Sequence, residues 1–502
     1  MSQVSSNNKR IAKNTLLLYF RMLFLMAVNL YTSRIILTAL GVEDFGIYNV
    51  VGGVVTMFSV ISNSLSTSIS RFITYELGKN NESELNKIFS VSVNIQLLIS
   101  IIIVISIESV GVWFLNTYMT IPQERIYAAN WVLQFSIATF VINLISVPYN
   151  AAIIAHERMS AFSYISILEA LGKLAIAFFI IISPIDKLIF YGVLMCTVAI
   201  IVRFVYGYYC KKNFKECTYH FYWDKELLKR MFCFGGWNFI GSSAGVLRTQ
   251  GINILLNLYF DPVVNAARGI SVQVNNAINS FSTNFLTAIN PQIIKSYSQQ
   301  DFKRSYQLVM YGSRFSFLLL SILSIPIIFE TDFILQLWLK NAPEYSTNFI
   351  RLTLILTIIE SLSLPLVTLQ QATGQIKNYQ IVVGTLHLLN FPFSLILLHT
   401  GFYPEIVYFV AIILAIISLY ARLYMQKRQL NISLTMFHKE VLARVSLLTI
   451  ATTITLFIIK EYEPKPLYGI ISSLLTVLFF TITIGLKKQE IKYILTKFKK
   501  KR

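Results

Sequence analysis

Charge is what this sequence has least of for its length: charged residues make up 13% of the 502, and the acidic sign is the scarcer, with 24 Asp and Glu against 43 Lys and Arg. The apolar share is 55%, in runs of about 20 residues that recur from end to end, so no soluble domain fits between them. Cysteine is scarce as well. Cys196, Cys210, Cys217 and Cys233 have no metal-ligand spacing, and three of them lie near a loop assigned to the cytoplasm, where thiols stay reduced; they read as packing residues. There is no P-loop, no metal-binding cluster and no catalytic triad in a plausible loop. Alternating strands of about 10 residues, the mark of an outer-membrane barrel, are also missing. The basic start, Lys9, Arg10 and Lys13, leads into an apolar run that contains Arg21 and has no small-residue cleavage site, so this run is expected to stay as the first span.

What is present is an all-α polytopic membrane protein. Hydropathy places about 14 transmembrane helices: near 13–38, 47–75, 88–115, 127–155, 160–182, 186–210, 229–258, 264–294, 305–328, 346–373, 377–400, 403–426, 438–459 and 466–486. The expected organisation is an N-lobe over 1–210, a charged cytoplasmic linker over 211–228, a C-lobe over 229–426, two further helices over 427–486, and a basic tail over 487–502. Lys and Arg crowd into the N-terminal segment, alternate loops and the tail, while the other set of loops holds Arg125, Lys187, Lys340, Lys460 and Lys465. By the positive-inside rule both termini are cytoplasmic. The net charge of +19 therefore reports topology, and a nucleic-acid partner is not expected. Membrane lipids are expected partners: the segment Phe333 to Leu339, with Trp338, suits an interfacial helix, and the tail suits the anionic inner leaflet.

The segment Tyr259 to Tyr297 carries no charge between Arg268 and Lys295 and is nevertheless rich in amides and hydroxyls. Asn265, Arg268, Ser271, Asn275, Asn279 and Ser282 recur at steps of three or four, opposite Val272, Val274, Ile278, Phe281 and Phe285. Polar groups cannot face hydrocarbon cheaply, so the stripe lines either a cavity or a close helix contact. A second stripe, Asn49, Gly52, Thr56, Ser59, Asn63, Ser66 and Ser70, runs along the second span. Displacing the sequence by about 220 residues sets Ser62–Ser70 against Ser282–Asn290, which points to an internal repeat. Each repeat has an even number of spans, so the two lobes share one orientation in the membrane, as alternating access between lobes requires.

The residues Ser33-Arg34-Ile35-Ile36-Leu37, then Leu40-Gly41-Val42-Glu43-Asp44-Phe45-Gly46-Ile47-Tyr48, and Ser70-Arg71-Phe72, resemble the N-terminal signature of the polysaccharide-transporter branch of the MOP superfamily. That branch comprises lipid-linked oligosaccharide flippases of O-antigen and capsule pathways and is related to the MATE drug exporters. The residue-level likeness is confined to about the first 75 residues, and the likeness in topology spans the chain. It implies two six-helix lobes, a basic central cavity, and movement of an undecaprenyl-pyrophosphate-linked glycan to the outer leaflet of a bacterial inner membrane.

Ionisable groups inside spans are functional candidates. Arg34, Arg268, Arg351, Arg422 and Arg444 lie near expected span ends, within reach of snorkelling, whereas Arg21, Arg203, Arg248, Arg314, Lys173, Glu169 and Glu360 lie deeper. Glu169 and Lys173, four apart, suit an intrahelical pair. Gly241, Gly245 and Arg248 share one helical face, as do Asn14, Arg21 and Val28. Guanidinium offers forked donors to a pyrophosphate, so Arg21, Arg248, Arg268 and Arg314 are the candidate phosphate ligands, with Asn49, Asn63, Asn275 and Asn279 as a sugar track. Glu360 is either a proton or sodium coupling group or the ion-pair partner of an arginine, and His387 reads as a hydrogen-bonded packing residue. No cofactor is expected beyond a proton or sodium gradient. A polysaccharide polymerase is an expected neighbour. The competing readings are a cation-coupled MATE-like exporter, which an acidic group in the first two spans would favour, and a membrane polymerase or ligase, which would carry a larger outer loop.

Overall fold

The computed structural model describes residues 2–56, 58–117, 121–183, 185–260, 262–339, 343–430, 432–462, 466–487 and 490. These residues are helical almost throughout. The helices are α1 (Ser2–Thr56), α2 (Ser59–Lys79), α3 (Glu82–Thr117), α4 (Gln123–Ala155), α5 (Met159–Ile182) and α6 (Lys187–Asn213). Then come α7 (Lys225–Tyr259), α8 (Pro262–Ser298), α9 (Phe302–Phe329) and the short α10 (Thr331–Leu339). The last five are α11 (Ser346–Thr373), α12 (Lys377–His399), α13 (Ile406–Leu430), α14 (Leu434–Glu461) and α15 (Pro466–Gly485).

Eleven helices among the described residues are long and apolar enough to cross a membrane. The count of fourteen is not confirmed. Two of the expected spans outside the eleven correspond to α7 and α8, whose serines, amides and arginines dilute the apolar run, and the third to the end of α1 with α2, where residue 57 lies outside the described residues. Length is ample in each, since α7 has 35 residues and α8 has 37.

Local signals explain several element boundaries. Within α1 the backbone breaks at Gly41, whose φ of 80° suits glycine alone without strain, so the signature Leu40-Gly41-Val42 marks the reversal between two helical segments. Gly374, at φ 77° and ψ −14°, ends α11 as a left-handed cap. Asp186 caps α6 by accepting from the amides of Leu188 and Ile189 at 3.0 and 3.2 Å. Asn81 and Asp301 cap α3 and α9 in the same way.

The chain divides into two compact units: Met1–Phe239 with Tyr297–Gln300, and Ile240–Ser296 with Asp301–Arg502. The division falls inside α7, beyond the end of the expected linker. In the first unit α4 packs on α6, α1 on α5, and α2 on both α3 and α4. The linker belongs to this unit. Asn86, Ser90 and Asn94, spaced four apart on one face of α3, bind it in succession: Asn86 donates to the carbonyls of Glu216 and Thr218 (3.1 and 2.8 Å), Ser90 accepts from the His220 amide (3.2 Å), and Asn94 donates to the Tyr222 carbonyl (2.9 Å).

In the second unit α9 packs on α11 and α15, and α13 on α11 and α12. The C-terminal pair, α14 and α15, is fastened to α9 by the apolar group Ile325, Leu456 and Val477. Lys460 adds a bond to the Phe329 carbonyl at 2.9 Å. The pair is therefore part of the second unit. The expected interfacial helix at Phe333 to Leu339 is helical, with Leu337 and Trp338 exposed. Of the basic tail, residues 491–502 lie outside the described residues.

Candidate functional site

The second unit carries an unusual density of buried polar side chains around three arginines. Its apolar floor consists of Leu255, Leu256, Ala267, Phe349, Val407 and Tyr408, all nearly or fully buried. Arg268, on the first turns of α8, enters this floor. Its Nε donates to Asn253 Oδ1, its Nη2 to the Thr249 carbonyl at 2.9 Å, and its Nη1 lies 3.5 Å from the Tyr408 hydroxyl, which also meets Ser271 at 3.2 Å. No carboxylate takes part in these contacts. Arg268 is thus a buried cation held by neutral acceptors, an arrangement that leaves its positive charge uncancelled.

One residue before Thr249, Arg248 donates from Nη1 to Glu360 Oε1 on α11 at 2.7 Å and faces His387 Nδ1 on α12 at 3.2 Å. Arg422, on α13, faces the other imidazole nitrogen, Nε2, at 3.5 Å and donates from Nε to the Tyr379 hydroxyl at 2.9 Å. Two guanidinium groups, which only donate, therefore face both nitrogens of one imidazole, and a neutral imidazole can accept at only one of them. Glu360 is the carboxylate in these contacts, so positive charge exceeds negative in the cluster.

The sequence-derived candidates separate. Arg248 and Arg268 come together in the second unit. Arg21 is in the first unit, half-buried, with its guanidinium 4.3 Å from the centre of the Phe162 ring; Asn14, one face with it, donates to the Glu157 carbonyl at 3.3 Å. Arg314 is fully buried and ion-paired with Glu490, beside Tyr311 and Phe315, so its guanidinium is committed to the C-terminal segment. Glu360 has the ion-pair environment that was one of its two readings, and His387 is hydrogen-bonded. The Glu169–Lys173 pair is present at 2.6 Å.

One expectation needs correction, and one open choice is narrowed. Arg422 does not snorkel: its side chain is buried against Tyr379 and His387. The stripe of α8 turns inward for most of its length. Arg268, Ser271 and Ser282 are buried, and Asn275 accepts a hydrogen bond from Thr357 on α11, so these residues line a helix contact within the second unit. Asn279 is half-buried. The uncovered face of α8 is the adjacent one, with Gln273, Asn276 and Thr283 exposed; it too is polar. On α2, Asn63 is exposed and Ser59, Ser66 and Ser70 are half-buried, as a track needs; the side chains of Asn49 and Asn265 lie outside the described set. Asn63 and Thr283, paired by the displacement, are both exposed, and Thr67 donates to the Asn63 carbonyl as Thr287 does to that of Thr283, at 3.0 and 2.8 Å.

Sequence reasoning missed Arg422, Tyr379, Tyr408 and Asn253 as partners of the cluster. For Arg422 a signal existed: Ser418, Arg422 and Gln426 follow at steps of four in an otherwise apolar helix, and all three are buried.

An all-helical chain of this kind has the fold of MATE membrane transporters. It is similar to an outward-facing multidrug-resistance MATE transporter of the MOP superfamily (TM-score 0.72, 12% identity, 85% of this chain and 96% of that one). A MATE protein in the bent conformation gives a TM-score of 0.74 at 12% identity, with coverage of 85% and 96%. A MOP-superfamily transporter from Pyrococcus furiosus, described as having a binding pocket of reversed polarity that suggests a different function, gives 0.70 at 13% identity, again with 85% and 96% covered. The chain belongs to the polysaccharide biosynthesis protein family, whose model matches residues 11–332. It is also 22% identical over 332 residues to an uncharacterized membrane protein, EpsK, of Bacillus subtilis (strain 168). That match spans 64% of each chain, less than two thirds of the relative's length. The protein is a multi-pass integral membrane protein of a transporter family.

Proposed function

We propose that the protein is a flippase, moving a polyprenyl-pyrophosphate-linked oligosaccharide from the cytoplasmic to the outer leaflet of a bacterial inner membrane, both termini being cytoplasmic. The observation that carries this reading is the charge imbalance around Arg248, Arg268 and Arg422: among their described contacts the one carboxylate is Glu360, paired with Arg248, while Arg268 and Arg422 bond to neutral groups. Uncancelled guanidinium groups attract a phosphate head and offer it paired donors. Arg21 and Arg314 are secondary candidates for the same role, and Asn63, Asn279 and the exposed face of α8 supply hydrogen bonds to sugar hydroxyls. Family membership and fold support transport, and the polarity of a binding pocket varies within this fold.

Glu360 is the proposed group for coupling to a proton or sodium gradient, since it is the acid paired with Arg248 in the cluster. A polymerase acting on the exported glycan is a proposed partner. Reconstitution in proteoliposomes tests the reading: a fluorescent lipid-pyrophosphate saccharide should reach the opposite leaflet with the wild-type protein and not with Arg248→Ala. Equal rates in the two would overturn it.

A MATE-like exporter is the second reading, and a cavity in the first unit favours it. That cavity, about 370 Å³, is lined by Tyr48, Phe135 and Phe140 together with Ser136, Thr139 and Asn143. Its described lining has no carboxylate to hold an organic cation, which places this reading second.

A further inference from the structure

A pocket of about 440 Å³ opens in the second unit where α11 and α13 begin, and two of its lining residues, Leu352 and Ile406, pack against the apolar floor beneath Arg268. Its lining divides sharply by chemistry. Phe402, Tyr403 and Phe409 present half or more of their surface, at 51%, 76% and 50% exposure. Between them stand three polar side chains, Asn348, Arg351 and Glu405. Asn348 donates from Nδ2 to Glu405 Oε1 at 2.9 Å, while Glu405 Oε2 is buried with no hydrogen-bond partner. A buried carboxylate oxygen without a donor is costly, and it marks a position that a ligand's donor would satisfy.

The charge of the pocket narrows the ligand. Arg351 is already used: its Nη2 donates to Asp332 Oδ2 and its Nε to the Ile328 carbonyl, both at 2.9 Å, and Thr347 holds the other Asp332 oxygen at 2.6 Å. With Arg351 paired to Asp332 and no cation on Glu405 among the described residues, a phosphate or uronate would meet a repelling carboxylate. An organic cation would be drawn to Glu405 but could make no use of the Asn348 amide donor beside it, and choline is the probe for it. A neutral polyhydroxy ring suits all the groups present. Its hydroxyls donate to Glu405, its ring and hydroxyl oxygens accept from Asn348, and its C–H faces lie on the aromatic rings, which combine an apolar body with polar tips.

We propose that this pocket is a binding site for a neutral hexose or N-acetylhexosamine unit of the transported glycan. The loop charges assign this end of the second unit to the outer face, so the site would hold the sugar as it leaves. The inference rests on the flippase reading. Sugar units engaged here are removed from the return path, which favours net outward movement.

Saturation-transfer NMR on the full chain in detergent tests it, with methyl glucoside and N-acetylglucosamine as neutral probes, and choline and inorganic phosphate as charged ones. Saturation should pass to the ring protons of the neutral sugars, and Glu405→Gln should weaken binding by about tenfold, the scale of one lost charge-assisted hydrogen bond. Tyr403→Ala, at an exposed position that tolerates truncation, should lower it as well. Transfer to choline or phosphate in preference to sugar, or sugar binding unaltered in both variants, would overturn the assignment. Flipping of the lipid-linked saccharide is measured in parallel. Flipping with no sugar bound at the pocket removes this site and leaves the flippase reading standing, whereas sugar bound in the absence of flipping removes the flippase reading.

Discussion

Arg125 joins Asp44 to Asp186. From the start of α4 its guanidinium donates through Nε to Asp44 Oδ1 at 2.7 Å, through Nη2 to Asp44 Oδ2, and through Nη1 to Asp186 Oδ2 at 2.6 Å. Asp44 follows the Gly41 reversal in the Leu-Gly-Val-Glu-Asp-Phe-Gly signature, and Asp186 caps α6. The signature therefore ties three segments of the first unit together at one end, and its physical content is a forked ion pair. Arg125→Ala leaves two carboxylates facing each other at partly buried sites. The expected loss is about 2–4 kcal/mol after allowance for solvent screening, read as a fall in thermal midpoint in detergent, with Asp44→Asn losing less. An unchanged midpoint in Arg125→Ala would show that the pair is only a surface contact.

The same pair sets a pH dependence. Burial raises the Asp186 carboxyl, but the Arg125 guanidinium and the amides of Ile189 and Leu188 outweigh it and hold it below the usual carboxylate range. A depressed folded-state pKa gives stability that is complete above the unfolded value, about 3.9, and is lost as pH falls through the folded one. Thermal melts of wild type should therefore lose stability below about pH 4. Asp186→Asn should begin less stable at pH 7 and show a shallower decline, so that the two curves converge in acid.

Arg268 allows stability and function to be separated. Removing it leaves Asn253 Oδ1 without its donor, at about 1–3 kcal/mol, while the Thr249 carbonyl sits inside the α7 helix ladder; it also relieves the desolvation of a buried cation with no carboxylate among its hydrogen-bond partners, which costs several kcal/mol. Arg268→Met, of similar volume, should keep its thermal midpoint within a few degrees of wild type or raise it, while saccharide flipping falls by at least about tenfold. A large loss of stability in parallel with activity would instead make Arg268 a structural residue.

Glu360 is tested through its partner. Glu360→Gln leaves Arg248 without its carboxylate in a part-buried site, so the single variant should be less stable by about 1–3 kcal/mol, and Arg248→Met should restore much of that loss in the double variant. If Glu360 couples transport to protons, flipping in Glu360→Gln vesicles should proceed at a rate independent of an imposed pH gradient. Wild type is the comparison, and a preserved gradient response would confine Glu360 to its ion pair.

The helix inventory was legible because apolar runs have to be about 20 residues long to cross a bilayer, and this length signal survives without any knowledge of contacts. Glu169 and Lys173 were legible for a similar reason, their spacing of four being enough to bring them together. Partners across helices were not. Nothing local to Arg422 tells that Tyr379, 43 residues away, takes its Nε, and nothing local to Arg314 points to Glu490. The direction of the α8 stripe stayed open for a subtler cause. Polar residues at 268, 271, 275, 279 and 282 and at 273, 276, 280 and 283 form two adjoining polar faces, and periodicity alone cannot choose which of them is covered by α11 and α13.

That pair of faces yields the sharpest test of the sugar track. Ser282 is fully buried with an unpaired hydroxyl, so Ser282→Ala should be neutral or slightly stabilising, and Ser282→Leu should cost about 1–3 kcal/mol by overpacking. Thr283, its neighbour, is exposed, and its hydroxyl bonds only to the Asn279 carbonyl of its own helix at 2.7 Å. Thr283→Leu therefore removes no tertiary contact and should leave the thermal midpoint within about half a kcal/mol of wild type. If the exposed face carries sugars, the same change takes away a hydroxyl and places a branched apolar group in their way, and flipping should slow several-fold. Asn63→Leu, at the repeat-related exposed position on α2, should behave alike. The contrast is the measurement: a ranking in which Ser282→Leu is the less stable variant and Thr283→Leu the slower one assigns packing to the inner face and transport to the outer, and equal flipping in Thr283→Leu, Asn63→Leu and wild type would remove the track from both helices.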